Sequence, residues 1–391
     1  MEKQINYLIS KIPILTRWLS FCKKINSNTS LLVVLLTLAG CSSDTEAQNA
    51  EPRIKMGAYY FAGWAGKCPY DNGTPENAWA KGMPTHFTKK LATEFAGREP
   101  IWGWRDDTQA LMERQIDLAA NNGIAYFSFC WYWGDNKGPI NVPSIEKDSK
   151  HLPMYMFMNA KNNPKMEFCL LVANHAGAEI VGTAAWKQAA DFWITKYFKH
   201  PRYLLMDGKP VIVIFSSKGG DAEGFKYLQE AARKAGFPGV EIACCGNGNV
   251  ADGYSVRTHY NIVPGYGKPS EKHQYPELVD AHVKQWQGSK SQPYIPVATV
   301  GWDRRPWEAP DGFGSGVEPS WYFEGNTPEA FRGFLEKMTG WMDTHPEQVT
   351  KDRLAMLYAW NEIGEGGWLV PCKDDPDGAY LKMVQKVVLD K

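Results

Sequence analysis

The segment Thr108-Gln-Ala-Leu-Met-Glu-Arg-Gln-Ile-Asp-Leu-Ala-Ala-Asn-Asn-Gly-Ile-Ala-Tyr-Phe-Ser-Phe-Cys-Trp131 holds a complete helix-to-strand unit. Its first half repeats apolar residues at the 3.6-residue period of a helix with one buried face. Asn122-Gly123 then supplies a helix stop, because glycine enters the left-handed conformation that ends a helix without steric cost. The second half is apolar on successive residues, as a parallel strand covered on both faces should be.

The same alternation runs outward in both directions. Strands are expected at 56–61, 124–131, 166–173, 210–215, 240–245, 260–263, 295–301 and 354–360. Helical periodicity fills 108–121, 149–160, 183–198, 220–235, 276–287 and 328–344, with a last helix at 379–389. Ala235-Gly236 with Pro238 stops the fourth helix, and Pro328 behind Asn326-Thr327 fits a first-turn proline after a cap. Eight strands alternating with helices predict an α/β fold, a (β/α)8 TIM barrel in one catalytic domain over 55–391. A doubly wound open sheet is the alternative, but no GxGxxG follows the first strand.

The chain of 391 residues carries no net formal charge. Five of its basic groups and a single acid fall in the first 40 residues, so the remainder is slightly acidic. No basic stripe is left to meet a nucleic acid. Those first 40 residues have the layout of an export signal: positive charges, the apolar run 31–39, then small residues at Ala39-Gly40. The run is too short to span a bilayer. Leu38-Ala39-Gly40-Cys41 resembles the bacterial lipobox, which makes Cys41 the expected lipidation site. Residues 41–54 read as a polar, flexible tether. The expected location is therefore the bacterial outer membrane or cell surface, with the periplasmic face also open.

Six cysteines follow Cys41, and none shows CxxC or Cys/His spacing, so neither a metal nor another cofactor is expected. Cys130 and Cys169 sit in apolar strand-like runs, where a buried thiol is the simpler reading. GxSxG is absent, and Phe313-Gly314-Ser315-Gly316 lacks the strand-to-helix context of a nucleophile elbow.

In a barrel of this kind, chemistry sits at the C-terminal strand ends. Read in order, those ends offer Tyr59-Tyr60, Trp131-Tyr132-Trp133, Asn174-His175, Tyr260 with Tyr266, Trp302-Asp303 and Asn361-Glu362-Ile363-Gly364-Glu365-Gly366. Rings, amides and carboxylates together suit a sugar, whose C–H faces stack on aromatics and whose hydroxyls need fixed donors and acceptors. The substrate-binding candidates are Tyr59, Tyr60, Trp131, Trp133, Asn174, His175, Tyr260, Trp302, Asp303 and Asn361. Strand alternation puts Trp131 and Trp133 on one face and Tyr132 on the other, so at least one of the three belongs to the core.

Glycosidic cleavage needs one group to protonate the leaving oxygen and another to act as nucleophile or base. Glu362 and Glu365 stand in a glycine-flanked turn after the last strand and are the expected catalytic pair. Two solvated loop glutamates are the plain alternative. Asp303, Glu308, Asp106 and Asp107 are the other carboxylates considered.

With those motifs in place, the chain resembles the glycoside hydrolase family 99-like group, which includes WbsX-type glycosyltransferases. The resemblance runs from about 56 to 384. It rests on Gly57-Ala58-Tyr59-Tyr60, Gln115 to Ala119 with Gly123-Ile124, Ala173-Asn174, Asp207-Gly208-Lys209-Pro210 and Trp302-Asp303. Trp360-Asn361-Glu362-Ile363-Gly364-Glu365-Gly366 is its most specific part. It implies a metal-free, retaining hydrolase acting on α-mannosides. Glu362 would be the base toward the sugar 2-hydroxyl, and Glu365 the acid/base on the glycosidic oxygen. Two positions depart from the group's pattern: His175 where a glutamate is usual, and Val370 within Leu369-Val370-Pro371. The expected partners are a polysaccharide or glycan substrate and, through the lipid, a membrane; a monomer is expected. A non-catalytic glycan-binding lipoprotein and a glycosyltransferase are the competing functions.

Overall fold

Eight parallel strands form one curved sheet. They are β1 (Lys55–Tyr60), β2 (Tyr126–Trp131), β3 (Glu167–Val172), β4 (Lys209–Ile214), β5 (Glu241–Cys245), β6 (Val256–Thr258), β7 (Val297–Thr299) and β8 (Leu354–Tyr358). The computed structural model describes residues 54–133, 142–288, 292–310, 312 and 317–389. The expected signal segment, Cys41 and the tether as far as Arg53 lie outside the described residues, as does the run 313–316; Ile54, the last residue of the expected tether, is buried in the core.

Neighbours in the sheet run β6-β5-β4-β3-β2-β1-β8-β7. The first and last strands are thus hydrogen-bonded neighbours in the sheet, which is the arrangement of a barrel. A parallel bridge between Arg257 and Tyr294 links β6 to the segment leading into β7. Arg257 N donates to Pro293 O and Ile295 N donates to Arg257 O, both at 2.9 Å, so the ring is nearly closed. The expected (β/α)8 architecture is the observed one.

Helices α1 (Gln109–Asn121), α2 (Leu152–Asn159), α3 (Thr183–Trp193), α4 (Ala222–Lys234), α5 (Tyr275–Gly288) and α6 (Pro328–Thr344) pack outside the strands, with α7 (Ala379–Val388) after β8. Their starts follow local chemistry. Thr108, Asp221 and Thr327 cap α1, α4 and α6 by accepting from backbone N–H groups three residues on. Pro328 fills the first helical position of α6, where no N–H partner is needed.

One strand differs from the sequence reading. The sixth is Val256–Thr258, not 260–263, which lies in the half-buried loop beyond it. The true strand is three residues long with Arg257 in the middle, so its periodicity is weaker than that of the apolar loop that follows. The shift puts Tyr260 just past a strand end.

Alternation along the strands sorts the aromatic residues. Phe127 and Phe129 point outward to Phe157 of α2, with ring centroids 6.2 and 5.6 Å away. Tyr60 shares that outer layer, 4.8 Å from Phe129. Tyr59, one residue earlier, therefore points into the barrel, where it meets Tyr260 at 4.8 Å.

Candidate active site

The C-terminal strand ends open onto a cavity of about 850 Å³, and Glu362 and Glu365 both line it. They are carried by a hairpin that follows β8. Asn361–Glu362 pairs antiparallel with Gly367–Trp368, and the 3₁₀ turn Ile363–Glu365 joins the two. Two glycines make this turn possible. Gly366 has φ +82°, and a Cβ there would lie 2.3 Å from Asp303 N. A Cβ on Gly364 would lie 2.0 Å from the Trp307 ring. Neither position admits another residue without moving its neighbour.

Polar braces fix the hairpin from three directions. Asn361 holds both backbone groups of Phe61, accepting from its N–H at 2.7 Å and donating to its carbonyl at 2.9 Å. Asp303 N donates to Glu365 O at 2.7 Å. Arg98 Nη1 donates to Asp303 O at 3.0 Å and to Ile363 O at 3.1 Å, and its Nη2 is ion-paired with the Asp303 carboxylate. The turn that carries the glutamates is thereby tied to the exits of β1 and β7.

Each glutamate also has its own tyrosine. Tyr260 donates to Glu362 Oε2, and Tyr358 donates to Glu365 Oε2. Arg304 Nη2 stands 3.8 Å from Glu365 Oε1. Burial pushes the Glu362 carboxyl well above the usual range, and the charge of Glu365 pushes it further; the Tyr260 bond and Arg304 only partly oppose this. Burial also raises Glu365, against Arg304, the Tyr358 bond and His175. The two carboxyls are displaced in the same direction, and Arg304, which stands beside Glu365, opposes the rise at that carboxyl more than at Glu362.

Of the residues expected at the site, Glu362, Glu365, Tyr260, His175 and Trp302 line the cavity. The others do not. Tyr59 is buried inside the barrel, its hydroxyl donating to His259 O at 2.9 Å. Tyr60 is buried outside it, bonded to Asp106 and Gln115. Trp131 and Trp133 share the outward face, and Trp131 packs on Trp193 at 5.4 Å. Asn174 clamps the next strand end, exchanging bonds with Ser216 N and O at 2.7 and 3.0 Å. Asp303 and Asn361 are the braces described above. Asp106, Asp107 and Glu308 are also outside the cavity: Asp107 pairs with Arg105, and Glu308 accepts from Ser320 N at 3.1 Å.

Several lining residues escaped the sequence reading. Tyr132 is the member of the Trp131-Tyr132-Trp133 run that faces the cavity, with Lys150 Nζ 5.0 Å from its ring centroid. Strand alternation separated it from its neighbours, but period two fixes only which residues share a face, not which face is inside. His86 and Trp307 come from loops with no signal of their own, and Phe215 stands at the end of the strand expected over 210–215, directly after Ile214. Among the described residues, no cluster of three His, Cys, Asp or Glu could hold a metal, and the six cysteines are free thiols.

Comparison with known structures supports the fold. A glycoside hydrolase family 99 endo-α-mannosidase from Bacteroides thetaiotaomicron, in complex with bis-tris propane, superposes with a TM-score of 0.55 at 13% identity. The match covers 85% of this chain and 95% of that one. A glycoside hydrolase-like protein gives 0.55 at 14% identity, covering 87% and 95%. At such identities the likeness is one of fold. No curated protein matches the chain. The family model described as glycosyltransferase WbsX matches residues 104–260 and 251–384. These segments make up more than half of the chain, and the protein belongs to the WbsX family.

Proposed function

We propose that this protein is a glycoside hydrolase that cleaves an α-linked, mannoside-like bond in a polysaccharide or glycan by a retaining mechanism. The observation that carries the reading is the glutamate pair: a buried Glu362 and a part-buried Glu365, each held by a tyrosine hydroxyl, beside a cavity large enough for several sugar rings. One carboxyl delivers a proton to the departing glycosidic oxygen while the other receives one from the attacking oxygen. Aromatic and polar groups on the walls, including Tyr132, Trp302 and His175, supply stacking faces and hydrogen bonds.

The roles implied by the resemblance are Glu362 as base toward the 2-hydroxyl and Glu365 as acid/base on the glycosidic oxygen. Burial and the charge of Glu365 raise the Glu362 carboxyl, while Arg304 opposes the rise at Glu365; which of the two is the acid is read from the pH profiles of variants at each position. The export signal and Cys41 lead us to place the enzyme on a lipid anchor at the outer membrane or cell surface, as a monomer.

The family description favours a second reading, sugar transfer. Sugar nucleotides are cytoplasmic, and the expected export signal would carry the chain away from them. That argues for hydrolysis. Incubating the full chain with a glycan panel and, separately, with sugar nucleotides plus acceptors decides the matter. Release of free sugar supports our reading; transfer from a nucleotide donor with no glycan cleavage would overturn it.

A further inference from the structure

A second, much smaller cavity of about 10 Å³ lies against the base of the glutamate hairpin, lined by Trp64, Trp104, Asp106, Gln115 and Asn361 among others. That is about the room one water molecule requires. Asp106 and Gln115 are both buried, and one polar atom of each, Asp106 Oδ1 and Gln115 Nε2, has no partner within the protein. Buried polar groups without partners are costly, typically about 1–3 kcal/mol each. Here one is an acceptor and the other a donor, the complementary pair that a bridging water joins.

The remaining atoms of the same two side chains are fully engaged. Asp106 Oδ2 accepts from Tyr60 Oη at 3.0 Å and from Asn361 Nδ2 at 3.3 Å. Gln115 Oε1 accepts from Trp360 Nε1 at 2.7 Å and lies 3.2 Å from Tyr60 Oη, whose single hydrogen it shares with Asp106 Oδ2. The cluster thus joins β1, the loop after it, α1 and the exit of β8. Its last member, Asn361, immediately precedes Glu362 and is the side chain that grips Phe61.

We propose that this cavity binds one water bridging Asp106 Oδ1 and Gln115 Nε2, and that Asp106, completed by this water, positions Asn361 and so the Glu362 turn. Asp106 does not reach the large cavity, so its part is positioning rather than contact with substrate. Burial brings its carboxyl up to about 7, with the charge of Asp107 adding to this and the bonds from Tyr60 and Asn361 opposing it. Water can bond to the carboxyl in either protonation state, since it both donates and accepts.

High-resolution crystal structures of the wild type, Asp106→Ala and Asp106→Asn test this. A water within bonding distance of both atoms is expected in the wild type; an empty cavity would overturn the first half. In Asp106→Ala, Asn361 should turn from Phe61 and the Glu362 carboxyl should leave Tyr260, while Asp106→Asn keeps both in place. An undisturbed Asn361 in Asp106→Ala would overturn the second half. If Asp106→Ala does not fold, Asp106→Val makes the same comparison. The kinetic arm rests on the hydrolase reading. With α-mannan as substrate, Asp106→Ala should lower kcat about tenfold at nearly unchanged KM, and Asp106→Asn should restore most of it. Loss that instead tracks the folded fraction equally in both variants would mark a merely structural role. Should the wild type cleave no glycan, the hydrolase reading fails, and the crystallographic comparison still decides this one.

Discussion

Tyr358, the last residue of β8, donates its hydroxyl to Oε2 of Glu365 only seven residues further on. The strand that presents the glutamate therefore also restrains it, through a side chain buried on the inner face of the barrel. Tyr260 restrains Glu362 in the same manner, from a position 102 residues away. The two tyrosine rings meet edge to face at 5.0 Å, so the clamps support each other.

Removing one clamp should reveal the role of its glutamate. Tyr358→Phe keeps the ring and removes a bond accepted by the ionised carboxylate, so the Glu365 pKa rises. The expected cost in kcat is about tenfold. If Glu365 works as the acid, the alkaline limb of the kcat/KM profile moves to higher pH; if it works as the base, the acidic limb moves up instead. A profile that keeps both limbs would disconnect Tyr358 from the chemistry.

Replacing either glutamate by glutamine should cost roughly 10²–10⁴-fold in glycan cleavage while leaving glycan affinity nearly intact. Product analysis and calorimetric titration with the same glycan check the two halves. Full activity in Glu365→Gln would rule it out as acid or base.

Tyr132 and Trp131 are neighbours with opposite destinies. Tyr132→Ala should raise KM with little loss of stability, because the ring lines the cavity. Trp131→Ala removes a side chain with no exposed surface and should cost about 3–5 kcal/mol. Thermal unfolding and steady-state kinetics on both variants read the contrast, and equal effects would contradict the assignment of faces.

The buried pair Arg98–Asp303 makes a stability prediction. Burial pushes the Asp303 carboxyl up, but bonds from Arg305 and the charge of Arg98 outweigh this and hold it below the usual carboxylate range. A depressed folded pKa stabilises above the unfolded value and is lost as pH falls through the folded one, so this contribution fades only in strong acid. Asp303→Asn should leave Arg98 buried and poorly paired, at a cost of about 3–5 kcal/mol. Urea unfolding at neutral pH measures it, and because Asp303 braces Glu365, activity should fall as well.

Much of the fold is legible in the chain because its signals are local. Helix caps at Thr108 and Thr327, the Asn122-Gly123 stop and doubly apolar strands act within a few residues, and they recover seven of the eight strands close to their observed positions. The glutamate hairpin is legible for the same reason: it is one short, glycine-bounded stretch directly after a strand. The sixth strand is not legible in this way because Arg257 interrupts its apolar pattern, while the loop beyond it is more apolar.

What the sequence determined by itself is the order of elements, the place of Glu362 and Glu365 after the last strand, and which residues of each strand share a face. Which face looks inward was decided only by closure of the barrel. Closure turned Tyr59 and Tyr132 toward the interior and sent Tyr60, Trp131 and Trp133 into the helix layer. Tertiary structure also converted two expected sugar ligands into braces. Asp303 meets Arg98 across 205 residues, and Asn361 meets Phe61 across 300. A hydrogen bond forms between whatever the fold brings within 3 Å, and no local pattern records a partner that far along the chain.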